Sequence, residues 1–204
     1  MVLSSLDVKE RPDPSLEQYL TPVDLATDVV IDAYRSGDIE GKIVADLGCG
    51  SGILSFASNM LGASSVVGFD IDPESVEIAR NNMFLLKRHP KYESQSGEVK
   101  FIQADVDNDN FKWESVDTVV MNPPFGAQKK GADRSFIRRS VQIAKVVYAI
   151  HNGKGIDFVR REYERQGGEV VSEKGYIMKL GSRFVFHTKR SVDIKVSLFK
   201  VVCS

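Results

Sequence analysis

Apolar positions along this chain follow two rhythms, short unbroken runs and longer stretches with apolar residues three and four apart, and the two alternate. The runs at residues 43–47, 65–69 and 116–121 are rich in β-branched residues, as strands buried on both faces of a sheet are. Residues 98–104 alternate well enough for another strand, and 146–150 form a further apolar run. Helical spacing covers 23–34, 53–61, 73–87, 134–145 and 155–166. Thr21 stands where an N-cap would be, with Pro22 at the first helical position, and Asp72-Pro73 opens a later helix with Glu74 and Glu77 in its first turns. Residues 169–180 and 192–202 read as a closing antiparallel pair. Strands alternating with helices in this way predict an α/β fold with a mostly parallel sheet and helices on both faces. Residues 1–22 are polar, contain Pro12 and Pro14 and lack sustained periodicity, so they read as an extended arm. No repeat, low-complexity block or linker breaks the chain, and 1–204 reads as a single domain.

Composition bounds this picture without redrawing it. With 42% apolar residues in 204, the chain can bury the core of one α/β domain. Lys+Arg 27 against Asp+Glu 28 leaves a net charge of −1, so binding driven by overall positive charge is not indicated, although a local basic face is compatible with it. Two cysteines, Cys49 and Cys203, are too few for a disulfide framework. No signal peptide or apolar run of membrane-spanning length is visible, which makes a cytoplasmic location the expectation and a membrane partner not expected. His151, His187 and the two cysteines lack metal-ligand spacing, so no metal is expected.

Candidate chemistry gathers at strand ends, where open α/β sheets place it. Asn122-Pro123-Pro124-Phe125 follows the run at 116–121. Two prolines stop a strand abruptly and fix the next carbonyls in space. The amide oxygen of Asn122 and the carbonyl of Pro123 would make two acceptors aimed at one –NH₂ group, drawing a conjugated amine nitrogen toward a nucleophilic geometry. Phe125 offers a flat face for a planar base, worth roughly 1–3 kcal/mol. Upstream, Gly48-Cys49-Gly50-Ser51-Gly52 permits a tight strand-to-helix turn that lets a ligand approach the backbone, with Asp46 leading into it. Asp70, ending the second strand, is placed to accept two ribose hydroxyls. Asp105, after the third, could hold an adenine amino group. The glycine register is not that of a dinucleotide loop, and a cofactor with no phosphates and a cationic amino-acid end fits better: S-adenosylmethionine.

Read in order, Asp46-Leu47-Gly48-Cys49-Gly50-Ser51-Gly52, Gly68-Phe69-Asp70-Ile71-Asp72, Gln103-Ala104-Asp105-Val106 and Val120-Met121-Asn122-Pro123-Pro124-Phe125-Gly126 resemble a Rossmann-like class I methyltransferase of the amino-directed kind. More narrowly, with Leu16-Glu17-Gln18-Tyr19 before the fold and Lys189-Arg190-Ser191-Val192-Asp193-Ile194 near its end, the chain resembles the methyltransferase-like protein 5 family of ribosomal-RNA adenine N6-methyltransferases. The resemblance implies a seven-stranded sheet with an antiparallel final strand. It implies cofactor contacts at Gln18, Tyr19, Thr21, Asp46, Gly48, Gly50, Ser51, Ile53, Asp70, Ile71, Asp105, Val106 and Asn122. It implies a catalytic motif at Asn122, Pro123, Pro124 and Phe125, acting on an adenosine of small-subunit ribosomal RNA. It also implies a small zinc-binding activator subunit, paired at the edge strand of residues 99–104. Leu20 stands where the family often has proline and Ser51 where it can have cysteine, positions that can serve through the backbone.

RNA contacts are expected at Phe125, at Lys129 and Lys130 in the glycine- and lysine-rich stretch after it, and at His187, Lys189 and Arg190, where cations and aromatics interleave. The Asn-Pro-Pro-aromatic motif also serves DNA adenine and protein glutamine amide methylation, and a silent RNA-binding scaffold could keep the same fold.

Overall fold

The structure of the protein, a computed structural model, describes residues 2–9, 20–90, 92, 97–125, 131–181 and 191–204. Strands β1 (Ile43–Leu47), β2 (Ser65–Asp70), β3 (Glu98–Gln103), β4 (Val116–Met121), β5 (Ala144–Asn152), β6 (Gly168–Gly181) and β7 (Ser191–Cys203) form one sheet in the order β3-β2-β1-β4-β5-β7-β6. The first five in that order pair in parallel, and β7 runs antiparallel to both β5 and β6. Helices α1 (Val23–Arg35), α2 (Ile53–Met60), α3 (Pro73–Leu86), α4 (Ala132–Ile143) and α5 (Ile156–Arg165) join them.

Burial follows the sequence pattern. Val44, Val66 and Val120 face one apolar cluster with α1, α2 and α3, while Ala45, Leu47, Val119 and Met121 face a second with α4 and α5. Successive strand residues point to opposite faces, so unbroken apolar runs are what a sheet covered on both sides requires. From β1 the chain winds outward through β2 to β3, then returns to place β4 on the other side of β1. The reversal opens a crevice beyond the carboxyl ends of β1 and β4, the usual ligand site in open α/β sheets.

Three expectations change. Thr21 does not cap α1: Pro22 is the N-cap, with extended backbone and no side-chain cap bond, and its carbonyl accepts from Ala26 N–H at 2.9 Å. The start of the arm is not extended, because Val2–Ser5 form a 3₁₀ turn that buries Val2 and Leu3 in the first apolar cluster. α4 ends at Ile143, and Ala144 and Lys145 belong to β5, since Ala144 is already extended and in register with Val116.

Candidate active site

Leu47 and Met121, the last residues of β1 and β4, are in register, so the loops at 48–52 and 122–125 leave the sheet side by side. The N–H groups of Gly48 and Cys49 donate to the Phe69 carbonyl at 2.8 and 2.9 Å, and Gly52 N–H donates to the Cys49 carbonyl at 2.8 Å. The glycines serve different ends. At Gly50 (φ +52°) an added Cβ would meet nothing within 4 Å, so this backbone lies open to a ligand. At Gly52 (φ +87°) a Cβ would lie 2.7 Å from the Phe56 ring and 2.9 Å from that of Phe101, so glycine there is demanded by packing.

Asp46 is 1% exposed. Its Oδ2 accepts from Ser55 N–H at 3.0 Å and Ser55 Oγ at 2.6 Å, which caps α2 from the neighbouring strand, since Gly52 as N-cap has no side chain to do so. Its Oδ1 is buried without a partner. Burial pushes the carboxyl up to about 7, with nearby Asp70 adding to the shift. A buried carboxyl oxygen without a donor is satisfied by a proton on the acid itself or, in the ionised form, by a cationic donor.

Asp70 closes β2 half-buried, its Oδ2 accepting from Gly50 N–H at 2.9 Å and its Oδ1 from Asp72 N–H at 3.0 Å. Burial raises its pKa, while the two backbone bonds hold it back. A carboxylate has about four acceptor positions, so roughly two remain for hydroxyls. Asp105 is exposed, and its Oδ1 accepts from Asp107 N–H at 2.9 Å. Ile71 is 46% exposed. Val106 is buried in the second apolar cluster and its carbonyl accepts from Arg139 Nε at 3.0 Å. Ile53 packs half-buried on the first cluster, and Ser51 gives its carbonyl to Asn82.

In the turn after β4, Asn122 Nδ2 donates to Thr21 Oγ1 at 2.9 Å, and Asn122 Oδ1 is buried without a partner. The Thr21 hydroxyl, placed by the sequence at a cap position, thus orients the Asn122 amide instead. Pro123 is buried, Pro124 and Phe125 are half-buried, and Phe125 packs against the first cluster. The fit to a ribose-bearing, cationic cofactor rests on the orphaned Asp46 oxygen, the acids at two strand ends and the open backbone of Gly50.

Gln18, Tyr19, Lys129, Lys130, His187, Lys189 and Arg190 lie outside the described residues. Sequence reasoning missed Ser55, Asn82 and Arg139. Asn82 is fully buried and bonds both the glycine loop and Asp7, and its signal was a polar residue on the apolar face of its helix. Arg139 is buried, donating to the carbonyls of Val106 and Asn108 and to Asp109, with its guanidinium over the Trp113 ring. Nothing in the local sequence marks that pairing. Among the described residues no group of three His, Cys, Asp or Glu side chains could hold a metal ion, and no helix is long and apolar enough to cross a membrane.

The family profile of ribosomal protein L11 methyltransferase matches residues 25–122, the glycine loop and both acids included, and stops there. The rRNA N(6)-adenosine-methyltransferase Mettl5 of Drosophila melanogaster is 36% identical over 205 residues, covering 97% of this chain and 92% of the relative. The crystal structure of a candidate RNA methyltransferase from Pyrococcus horikoshii superposes with a TM-score of 0.85 at 34% identity, over 98% of this chain and 95% of that one. The fold alone is shared with magnesium protoporphyrin IX methyltransferase of Synechocystis, solved with bound S-adenosylmethionine (TM-score 0.64, 20% identity, 89% and 79% covered).

Proposed function

This chain belongs to the methyltransferase-like protein 5 family of rRNA N6-adenosine methyltransferases, and on that premise we propose that it methylates the N6 amino group of an adenosine in ribosomal RNA of the small subunit. S-adenosylmethionine is its methyl donor. The observation that carries the reading is the buried, unpartnered Oδ1 of Asn122, held by the bond from Nδ2 to Thr21.

When bound, S-adenosylmethionine supplies an electrophilic methyl group on a sulfonium, so the chain needs no nucleophile of its own. Asp46 Oδ1 would take the cationic amine of the cofactor, Asp70 would hold its ribose hydroxyls, and Gly50 would let it lie close to the loop. Asn122 Oδ1 and the Pro123 carbonyl accept the two N–H bonds of the target amine and hold its lone pair toward the methyl group. Such positioning is the main source of rate. The target base leaves its stack to enter, at a cost of about a few kcal/mol, which favours an unpaired or bulged adenosine. Phe125 offsets part of that by stacking, roughly 1–3 kcal/mol.

The target class is tested by incubating the protein with methyl-labelled S-adenosylmethionine and separate pools of ribosomal RNA, transfer RNA, DNA and ribosomal protein. Label in ribosomal RNA as N6-methyladenosine is expected. Label confined to protein would favour the chemistry of the L11 relatives, and label confined to DNA would move the target.

A partner completes the reading: a small zinc-binding activator subunit that adds a strand to the outer edge of β3. In support, β3 ends the sheet. Ala104 N–H donates to the Asp70 carbonyl, so the alternate residues 99, 101 and 103 turn their backbone groups outward. An open edge of this kind invites pairing. One outward carbonyl, that of Phe101, accepts from Arg80 at 2.7 Å, and an incoming strand must displace or accommodate that guanidinium.

A further inference from the structure

Asn82 lies in the middle of α3, fully buried, and most of its amide is committed. Its Oδ1 accepts from Asp7 N–H at 2.7 Å. Its Nδ2 donates to the Asp7 carbonyl at 2.8 Å and to the Ser51 carbonyl of the glycine loop at 3.0 Å. One side chain therefore grips a backbone unit of the N-terminal segment in both directions and, with its remaining donor, the loop after β1. The segment is fastened on either side of that grip. Val2 and Leu3 are buried in the first apolar cluster, and Lys9 pairs with Asp72 at 2.7 Å and Glu74 at 3.0 Å at the start of α3. Asp72 in turn donates its N–H to Asp70, the acid at the end of β2.

A buried amide satisfied this fully is costly to break, because any bond lost strands a desolvated group. Helix α3 needs no asparagine for its own sake, since the residue is a weak helix former there. We propose that Asn82 is a positioning residue which makes residues 7–9 part of the cofactor site, so that the strap and the glycine loop take their bound shape together. The proposal rests on the cofactor reading given above. Its physical content is a coupling: the strap limits the positions of Ser51, and a ligand seated on the loop steadies the strap. Coupling of this kind is reciprocal.

Two variants separate this role from simple packing. Asp7→Pro removes the strap's N–H to Asn82 and leaves Asn82 and the glycine loop untouched. Asn82→Ala removes the whole grip. Binding of S-adenosylhomocysteine is measured by calorimetry, and amide exchange at residues 7–9 by mass spectrometry, with and without that ligand. In the wild-type protein the ligand should slow exchange at 7–9. Each variant should speed exchange and weaken ligand affinity about 5–10-fold, a factor worth roughly 1.0–1.4 kcal/mol. The double variant should be no weaker than the weaker single one, because both cut one path. If Asp7→Pro frees the strap and leaves affinity unchanged, the strap is no part of the site and the proposal is overturned, whether or not Asn82→Ala folds. Failure of the wild-type protein to bind S-adenosylhomocysteine at all would instead bring down the cofactor reading.

Discussion

Among the described residues, two buried side-chain oxygens lack partners, one on Asn122 and one on Asp46, and the proposed chemistry rests on them. A structural turn would use the Asn122 amide fully, and here only its nitrogen is engaged. Asn122→Ala should therefore lower methyl transfer by roughly 10²–10³-fold, by analogy with the loss of one preorganised hydrogen bond at a reacting atom, while cofactor affinity and melting temperature stay near wild type. Near wild-type turnover in that variant would falsify the assignment. Phe125→Leu should chiefly raise the KM for RNA. Asp46 makes a prediction in pH. Its carboxyl, at about 7 instead of an ordinary 3.8, favours the protonated form in the fold. Its contribution to stability is thus greatest below about 3.8 and is lost as pH rises toward about 7. Binding a cationic amine needs the ionised form, so ligand affinity should climb over the last part of that rise. Asp46→Asn should raise the melting temperature of the ligand-free protein more at pH 8 than at pH 5, and should flatten the pH dependence of S-adenosylmethionine binding. His151, buried beside Tyr163 and pushed down to about 3, acts in the opposite sense but equally in both proteins, so it cancels in the difference. An equal shift at the two pH values would reject the account.

Strands and helices were legible where one local rule decided them. β1 and β4 sit at their expected residues, and α3 begins at Pro73 with Asp72 as its cap, accepting from Glu74 N–H. The placement of Asp70 and Asp105 at strand ends was legible for the same reason, since strand ends are visible in an apolar run. What escaped was decided across the chain. The Thr21 hydroxyl is drawn 101 residues away to Asn122, Asn82 reaches back 75 residues to Asp7, and Arg139 answers carbonyls on the loop after β3. Local preference cannot see a partner that only folding supplies. Edge status, by contrast, followed from strand order, and it supports a prediction at the level of one strand. Val99→Pro deletes an outward N–H of β3 without cutting the ladder to β2, a place where proline is tolerated. Co-purification with the proposed zinc-binding subunit should fall while S-adenosylmethionine binding by the isolated chain holds. Equal recovery of the complex from both proteins would argue against pairing at this edge.

Across the molecule, the sheet brings the two ends of the chain into one structure: the 3₁₀ turn at Val2–Ser5 rests in the same apolar cluster as Val196 and Leu198 of β7. β7 does not sit at the margin. It lies between β5 and β6, which do not touch each other as strands. A chain ended at residue 190 would leave β6 without a strand neighbour, and should elute from gel filtration as aggregate or be cut rapidly by protease; a monomeric, ligand-binding product would contradict this. The same topology has a consequence in time. Synthesis at roughly 5–20 residues per second places about 1–4 s between the end of β6 and the end of β7. For that interval the longest strand of the sheet has been made and its one strand neighbour among the described residues has not. The strands that carry the glycine loop and the Asn122 turn are thus made before the antiparallel pair that closes the sheet, and the docking of β7 between β5 and β6 is the last pairing this order of synthesis permits.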